Sequence, residues 1–263
     1  MVSATSEEIF PTTESWSLGD FIDRLHRYES ATRHVVQTEA LLGFWGEPFH
    51  EQMLTVAPKR LAGQFATPSG LPAWLALRWY PISLLSYSGG IAAVSARRYS
   101  NVRQLLLLPI EDPESRFRRP LVATVTKRIS DVESAFKMMP GHDRFFTPRS
   151  EYVYKLLQPE LDTALSLGSE YEACFDEFEI LYALEYAHQN SIQDGGFWGP
   201  PGRFGWKYER GEYGSPYHLL VSEAKARGNN WEPVRAGLFG GSIDRFLEVA
   251  NKYSEYLARL HWR

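Results

Sequence analysis

Several features that would assign a compartment or a partner are absent from this sequence. Its one cysteine, Cys174, excludes an internal disulfide framework, which fits a reducing environment. Residues 1–16 show no positively charged segment followed by an apolar core, so no secretory signal is expected. Basic residues are not in excess, because 28 Lys and Arg stand against 32 Asp and Glu. We therefore predict a cytoplasmic protein. The charge balance argues against a general nucleic-acid coat protein but is compatible with a local basic patch.

Motifs that hold a cofactor or a metal are also missing. The sequence contains no Gly-x-x-x-x-Gly-Lys-Ser/Thr, no Gly-x-Gly-x-x-Gly, no Gly-x-Ser-x-Gly and no His-x-x-x-His. Its seven histidines include none at zinc-site spacing from cysteine. The run 237–242 leads into a helix and offers backbone N–H groups to an anion, but a tight turn between packed helices is the favoured interpretation. The sequence therefore predicts no cofactor and no metal.

One apolar stretch, residues 73–96, has nearly the length of a membrane span. Arg78, Pro81 and the pair Gly89-Gly90 interrupt it, whereas a spanning helix needs about 20 mostly apolar residues with few charges. We expect a buried helix pair at the centre of a globular domain, with no membrane partner. The small residues from Gly89 to Ala96 should let another helix approach closely.

Helical periodicity covers most of the chain, and the predicted fold is a mainly α, compact multi-helix domain. It comprises residues 17–263 after an N-terminal arm, 1–16, with a lobe boundary near the proline-rich segment 109–120. The β-branched run 121–127 is the only candidate for a short strand. We further expect Pro58 to bend or break its helix, and the helix that begins at Pro148 to end at Leu157 and resume after Pro159. Helices are predicted over 17–42, 48–65, 73–96, 101–108, 131–139, 148–157, 159–167, 169–187, 216–227 and 243–262.

The helix over 169–187 is strongly acidic. Glu172, Asp176 and Glu179 follow one another at spacings that cluster carboxylates on one face, and Glu185-x-x-His188 matches half of a di-metal helix motif. A metalloenzyme centred on residues 169–188 is therefore one alternative. A solvated acidic face is the favoured interpretation, because the Glu-x-x-His pattern occurs only once.

The most informative segment is an aromatic, glycine-rich loop within residues 190–214. It mixes stacking surfaces with positive charge, which suits single-stranded nucleic acid or a nucleotide. The favoured alternative is a lid that folds back and buries its aromatic side chains on the helices. The candidate binding residues are Trp198, Arg203, Phe204, Trp206, Lys207 and Arg210.

Several segments carry a resemblance to a known group of proteins. They are 77–81 (LRWYP), Tyr87, 90–93 (GIAA), 98–101 (RYSN), 175–179 (FDEFE), 198–204 (WGPPGRF) and 237–241 (GLFGG). Together they resemble helical modules found beside SIR2-like and other effector domains in bacterial anti-phage defence proteins. The resemblance implies a sensor, scaffold or partner subunit, since no NAD-binding signature accompanies it, and it transfers no catalytic residue.

Three functions follow as hypotheses. The first is a non-catalytic interaction module of a defence system that binds a partner protein, with Trp198, Arg203, Phe204 and Trp206 as anchors of the types enriched at hot spots. The second is a nucleic-acid-binding or processing protein in which residues 203, 207 and 210 contact phosphates and Trp206 stacks on a base. The third is the metalloenzyme on the acidic helix.

Overall fold

The computed structural model is mainly helical, as the sequence predicts, and describes residues 3–65, 69–111, 117–193, 195–210, 214–260 and 262. The α-helices are α1 Leu18–Trp45, α2 Glu51–Ala62, α3 Pro72–Leu77, α4 Tyr80–Ser95, α5 Tyr99–Leu106, α6 Leu121–Ile129, α7 Glu133–Met138, α8 Pro148–Leu165, α9 Tyr171–Gln193, α10 Pro216–Arg227, α11 Glu232–Arg235 and α12 Ile243–Arg259. Short 3-10 turns lie at Ser3–Thr5, Pro48–His50, Ser130–Val132, Gly168–Glu170, Arg203–Arg210, Gly228–Asn230 and Leu238–Gly241. Two short antiparallel strands, β1 Pro109–Glu111 and β2 Arg118–Pro120, pair with Ile110 opposite Arg119.

Helix α4 is the centre of the molecule, and every residue from Tyr80 to Val94 is buried. Two of its buried serine hydroxyls are satisfied by backbone carbonyls: Ser88 Oγ donates to Val36 O at 2.7 Å and Ser86 Oγ donates to Ile82 O at 2.9 Å. The predicted helix pair over 73–96 is present as α3 and α4, but only α4 is buried all round, since α3 buries only Trp74, Ala76 and Leu77. No helix among the described residues is long and apolar enough to cross a membrane.

Close packing around α4 depends on small residues, as expected from its sequence. A Cβ atom added at Gly43 of α1 would lie 2.1 Å from the Gly89 carbonyl oxygen. One added at Gly90 would lie 1.9 Å from the ring of Phe178 on α9. Helices α1 and α9 therefore pack against α4 at distances that a larger side chain would prevent.

The N-terminus of α1 is capped, because Ser17 Oγ accepts a hydrogen bond from the Asp20 N–H at 3.1 Å. The preceding arm is anchored on the bundle. Arg24 Nη1 donates to Pro11 O at 2.9 Å, and Trp74 Nε1 donates to Glu14 O at 3.0 Å.

The strand predicted over 121–127 is wrong, since this run forms helix α6. Its apolar residues Leu121, Val125 and Ile129 recur every four positions and are fully buried, while Lys127 is exposed. That pattern has the period of a helix, and burial outweighs the modest β-preference of valine and threonine. The segment 109–120 contributes the two strands, and buried apolar residues from both sides of it belong to one core cluster.

The interruption predicted at Pro159 is wrong as well, and Pro58 does not break its helix. Both prolines lie inside continuous helices, α2 and α8. A proline removes one backbone hydrogen bond, and here the flanking turns are held by burial of Leu54 and Leu61 around Pro58 and of Leu157 and Leu161 around Pro159. Tertiary packing therefore keeps both helices intact.

Candidate functional site

The aromatic loop, here residues 195–210, follows α9 and folds back on the bundle. Its second half is the 3-10 turn Arg203–Arg210, which contacts α9, α10 and α12. The close approach requires glycine at two points: a Cβ at Gly202 would lie 2.1 Å from the Glu179 carboxylate, and one at Gly205 would lie 1.9 Å from the Trp262 ring. Phe204 between them is fully buried, with Tyr217 and Tyr253 as ring neighbours. The loop is thus packed as a lid on the helices.

Two cations of this loop enter a buried ion-pair cluster made of Arg203, Lys207, Glu151, Glu172 and Asp176. Lys207 Nζ lies 2.5 Å from Glu172 Oε1 and also contacts Asp176 Oδ2. Arg203 Nη1 lies 3.4 Å from Glu172 Oε1 and 3.4 Å from Asp176 Oδ1, and its Nε lies 3.6 Å from Glu151 Oε2. The cluster sets two cations against three carboxylates and ties the loop to α8 and α9.

An aromatic surface completes the Arg203 environment. The guanidinium carbon lies 3.7 Å from the centroid of the Tyr154 ring, a distance at which a cation–π interaction is favourable. Both Arg203 and Lys207 are more than nine-tenths buried. Desolvation of this extent is tolerated only when the charges are paired, and the cluster supplies those pairs.

Glu179 forms a second buried centre beside the cluster. Ser150 Oγ donates to its Oε1 at 2.6 Å, Tyr87 Oη donates to Oε1 at 3.1 Å, and the Arg203 backbone N–H donates to Oε2 at 2.8 Å. Burial raises the pKa of Glu179 to about 7, although the Ser150 hydrogen bond opposes the shift. One carboxyl therefore links α4, α8, α9 and the loop.

The pKa values of the two carboxylates that Lys207 contacts are shifted in opposite directions. The Lys207 hydrogen bond lowers the pKa of Glu172, which keeps half of its side chain in solvent. Burial raises the pKa of Asp176 in spite of the lysine. The favoured expectation of a solvated acidic face is therefore wrong for Asp176 and Glu179. The positive charges that pair with Asp176 come from Arg203 and Lys207, 27 and 31 positions later in the sequence, whereas Glu179 accepts the backbone N–H of Arg203.

The second acidic pattern, Glu185 with His188, is also internal. Glu185 is fully buried: its Oε2 accepts from the Phe239 N–H at 2.7 Å and its Oε1 accepts from Gln189 Nε2 at 2.8 Å. The turn at 237–242 does hold an anion on a backbone N–H group, but that anion is the protein's own carboxylate. Phe239 adopts φ of +54° in this turn. Among the described residues no group of three or more His, Cys, Asp and Glu side chains is arranged to hold a metal ion.

The structure divides the six candidate binding residues into two sets. Arg203, Phe204 and Lys207 are buried in the ion-pair cluster and the core beside it. Trp198, Trp206 and Arg210 remain accessible, and the Arg210 guanidinium carbon lies 4.4 Å from the centroid of the Trp206 ring. The loop therefore presents one arginine-stacked tryptophan to solvent.

A larger exposed apolar region lies where α1 turns into α2, and we call it the corner surface. Its side chains are Leu41, Trp45, Phe49, Met53 and Val56. Trp45 is 65% and Phe49 is 78% exposed. The spacing 49, 53, 56 is helical, and the opposite side of α2 buries Leu54 and Leu61. Sequence reasoning missed this surface because it read the apolar residues of 48–65 only as helix-forming, although the helix has apolar residues on two sides.

Comparisons with known proteins identify no relative of this chain. No protein-family model, no curated protein and no solved structure matches this chain at a significant level.

Proposed function

We propose that this protein is a non-catalytic interaction subunit that binds a partner protein through the corner surface. The observation that carries the proposal is the concentration of five exposed large apolar side chains within sixteen positions of α1 and α2, two of them aromatic. Single exposed apolar residues are common, but a group of them marks an interaction site. Tryptophan and phenylalanine are also enriched at interfaces.

The aromatic loop contributes a second, smaller contact region in this proposal. Trp206 with Arg210 provides a tryptophan and an arginine, two of the residue types that dominate binding hot spots. The buried ion-pair cluster fixes the backbone beneath them, which lowers the entropy lost on binding. The resemblance to defence-associated helical modules makes an effector subunit of an anti-phage system the expected partner.

The geometry gives less support to the two other functions. Arg203 and Lys207 were expected to contact phosphates, yet both pair with carboxylates inside the protein, so only Arg210 of the three remains accessible. On the acidic helix, Asp176 and Glu172 already hold the Lys207 ammonium. A metal would have to displace that lysine.

Affinity capture of the tagged protein from its native host, with quantitative mass spectrometry, tests the proposal. Trp45→Ser with Phe49→Ser should remove a stoichiometric partner, because both side chains are in solvent and their loss leaves the fold intact. Leu219→Ser is the matched control, since Leu219 is a 51% exposed apolar residue on α10. It should retain the partner.

The double variant Trp206→Ala, Arg210→Ala in the same experiment measures how much the aromatic loop contributes to partner binding. The proposal would be refuted if the Trp45→Ser, Phe49→Ser double variant (the corner variant) retained the partner, or if Leu219→Ser lost the partner to the same extent. Nucleic acid in the eluate, detected by absorbance and released steeply by salt, would favour the second hypothesis instead. Light scattering distinguishes a different partner from a second copy of this chain. A concentration-dependent dimer that the corner variant abolishes would show that a second copy occupies this surface.

A further inference from the structure

A cleft of about 260 Å³ opens between α1, α4 and α8, away from the corner surface and the aromatic loop. Its walls are mostly apolar and include Val36 of α1, Leu84 of α4, and Leu156 and Leu157 of α8. An engineered cavity of about 150 Å³ in another protein admits benzene, so this cleft has room for a small organic body. Apolar walls around a few placed polar groups are typical of small-molecule sites.

The polar group placed in this cleft is the carboxyl of Glu29. Tyr80 Oη and Tyr152 Oη both donate to its Oε1, each at 2.8 Å. Tyr80 is fully buried, so the carboxyl is held in a fixed position. Neither tyrosine uses Oε2, which leaves an acceptor oxygen for another donor. Burial raises the pKa of Glu29, and the tyrosine hydrogen bonds oppose that shift by favouring the ionised form.

Glu29 also lacks an ion-pair partner among the described residues, although His26, which lines the same cleft, favours its ionised form by charge. Within the described parts of the chain no lysine or arginine lies within ion-pair distance of it. The other carboxylate of the cleft, Glu160, is already satisfied: Arg33 Nε lies 2.8 Å from its Oε1, and Gln37 Nε2 donates to its Oε2 at 2.8 Å. The cleft therefore has one partly buried negative charge without a counter-ion.

We propose that this cleft binds a small organic cation, a primary or secondary ammonium group on an apolar body. The ammonium donates to Glu29 and supplies its missing counter-charge, while the alkyl or aryl part covers the leucine and valine side chains. An anionic ligand is disfavoured by the same carboxylate. This site shares no residue with the corner surface, so it stands or falls independently of the proposed partner binding.

The test compares three probes of one shape, benzylammonium, benzyl alcohol and benzoate, by isothermal calorimetry or by NMR titration at millimolar concentration. Wild-type protein should bind benzylammonium about tenfold or more tightly than the alcohol and should not bind benzoate, because a hydrogen bond to a charged group adds about one order of magnitude. Absence of benzylammonium binding, or equal binding of all three probes, would overturn the proposal.

Glu29→Gln is the decisive variant, since a glutamine oxygen still accepts from both tyrosines while the charge is removed. It should weaken benzylammonium binding about tenfold and change benzyl alcohol binding by less than twofold. Leu156→Trp, which fills the cleft, should weaken both. Unchanged benzylammonium affinity in Glu29→Gln would refute the assignment. If that variant does not fold, as judged by circular dichroism, the ranking of the three probes on the wild type decides.

Discussion

Replacing Glu39 with glutamine should stabilise this protein at alkaline pH and destabilise it slightly at acidic pH. Glu39 lies on α1 with 1% of its surface exposed, and its Oε2 has no hydrogen-bond partner in the structure. Burial raises the pKa of this carboxyl from its ordinary 4.5 to about 8. The folded state therefore prefers the protonated form.

The sign and the size of the effect follow from that shift. The folded state binds the proton more tightly than the unfolded state, so wild-type stability falls as pH rises from 4.5 to about 8 and stays constant above. At about 1.4 kcal/mol for each pKa unit, the penalty above pH 8 is roughly 5 kcal/mol. Glutamine never ionises and escapes this penalty, although its amide N–H groups lack partners and cost about 1–3 kcal/mol.

Urea unfolding of wild type and Glu39→Gln at pH 5, 7 and 9 measures the difference directly. We expect the variant to be less stable than wild type by up to about 2 kcal/mol at pH 5, where only the amide cost counts, and more stable by about 2–4 kcal/mol at pH 9. Glu255→Gln is the control, because Glu255 is exposed and its substitution should change stability by less than about 0.5 kcal/mol at each pH. A stability difference between wild type and Glu39→Gln that does not grow with pH would show that this carboxyl is solvated.

Three further predictions concern the aromatic loop. Gly202→Ala should lower the free energy of unfolding by about 1–3 kcal/mol, because its Cβ would collide with a buried carboxylate. Gly19→Ala on α1 should not, since its Cβ would meet only Ser17 Oγ at 3.8 Å, and thermal unfolding compares the two variants. Lys207→Met should cost about 3–5 kcal/mol near neutral pH, because it breaks the buried Lys207–Asp176 pair and leaves Asp176 with Arg203 alone. Adding Asp176→Asn should recover part of this loss, and a double mutant that is no better than Lys207→Met would contradict the pairing. Trp206→Ala should change stability by less than about 1 kcal/mol in urea unfolding, since Arg210 rather than the core is its partner, and a larger loss would place this ring in the core.

Elements set by local chemistry could be predicted from the sequence. The buried helix α4 was evident from an apolar run broken only by small residues, and the start of α1 from a serine followed three residues later by an acid. The helix at 121–129 was not evident from the sequence, because valine and threonine favour strands and only the surrounding core imposes the helix.

The candidate site shows the same division. Composition alone singled out the aromatic loop, and burial of Phe204 agrees with a lid. The partners of Arg203 and Lys207 lie on α8 and α9, and no local rule connects a loop lysine with Asp176, 31 positions earlier. Exposure of Met53 and Val56 was likewise unpredictable, since it depends on which side of α2 meets α4 and α5.

The all-round burial of α4 has a consequence for how the chain folds. A helix without a polar side has no stable position in water by itself, so α4 cannot persist before neighbours shield it. Its contacts with α1 and α9 join segments that are far apart in sequence, at Gly43 with Gly89 and at Gly90 with Phe178. We therefore expect these three helices to become ordered in one cooperative step, and the backbone amides of α4 to exchange with solvent only when the whole chain opens.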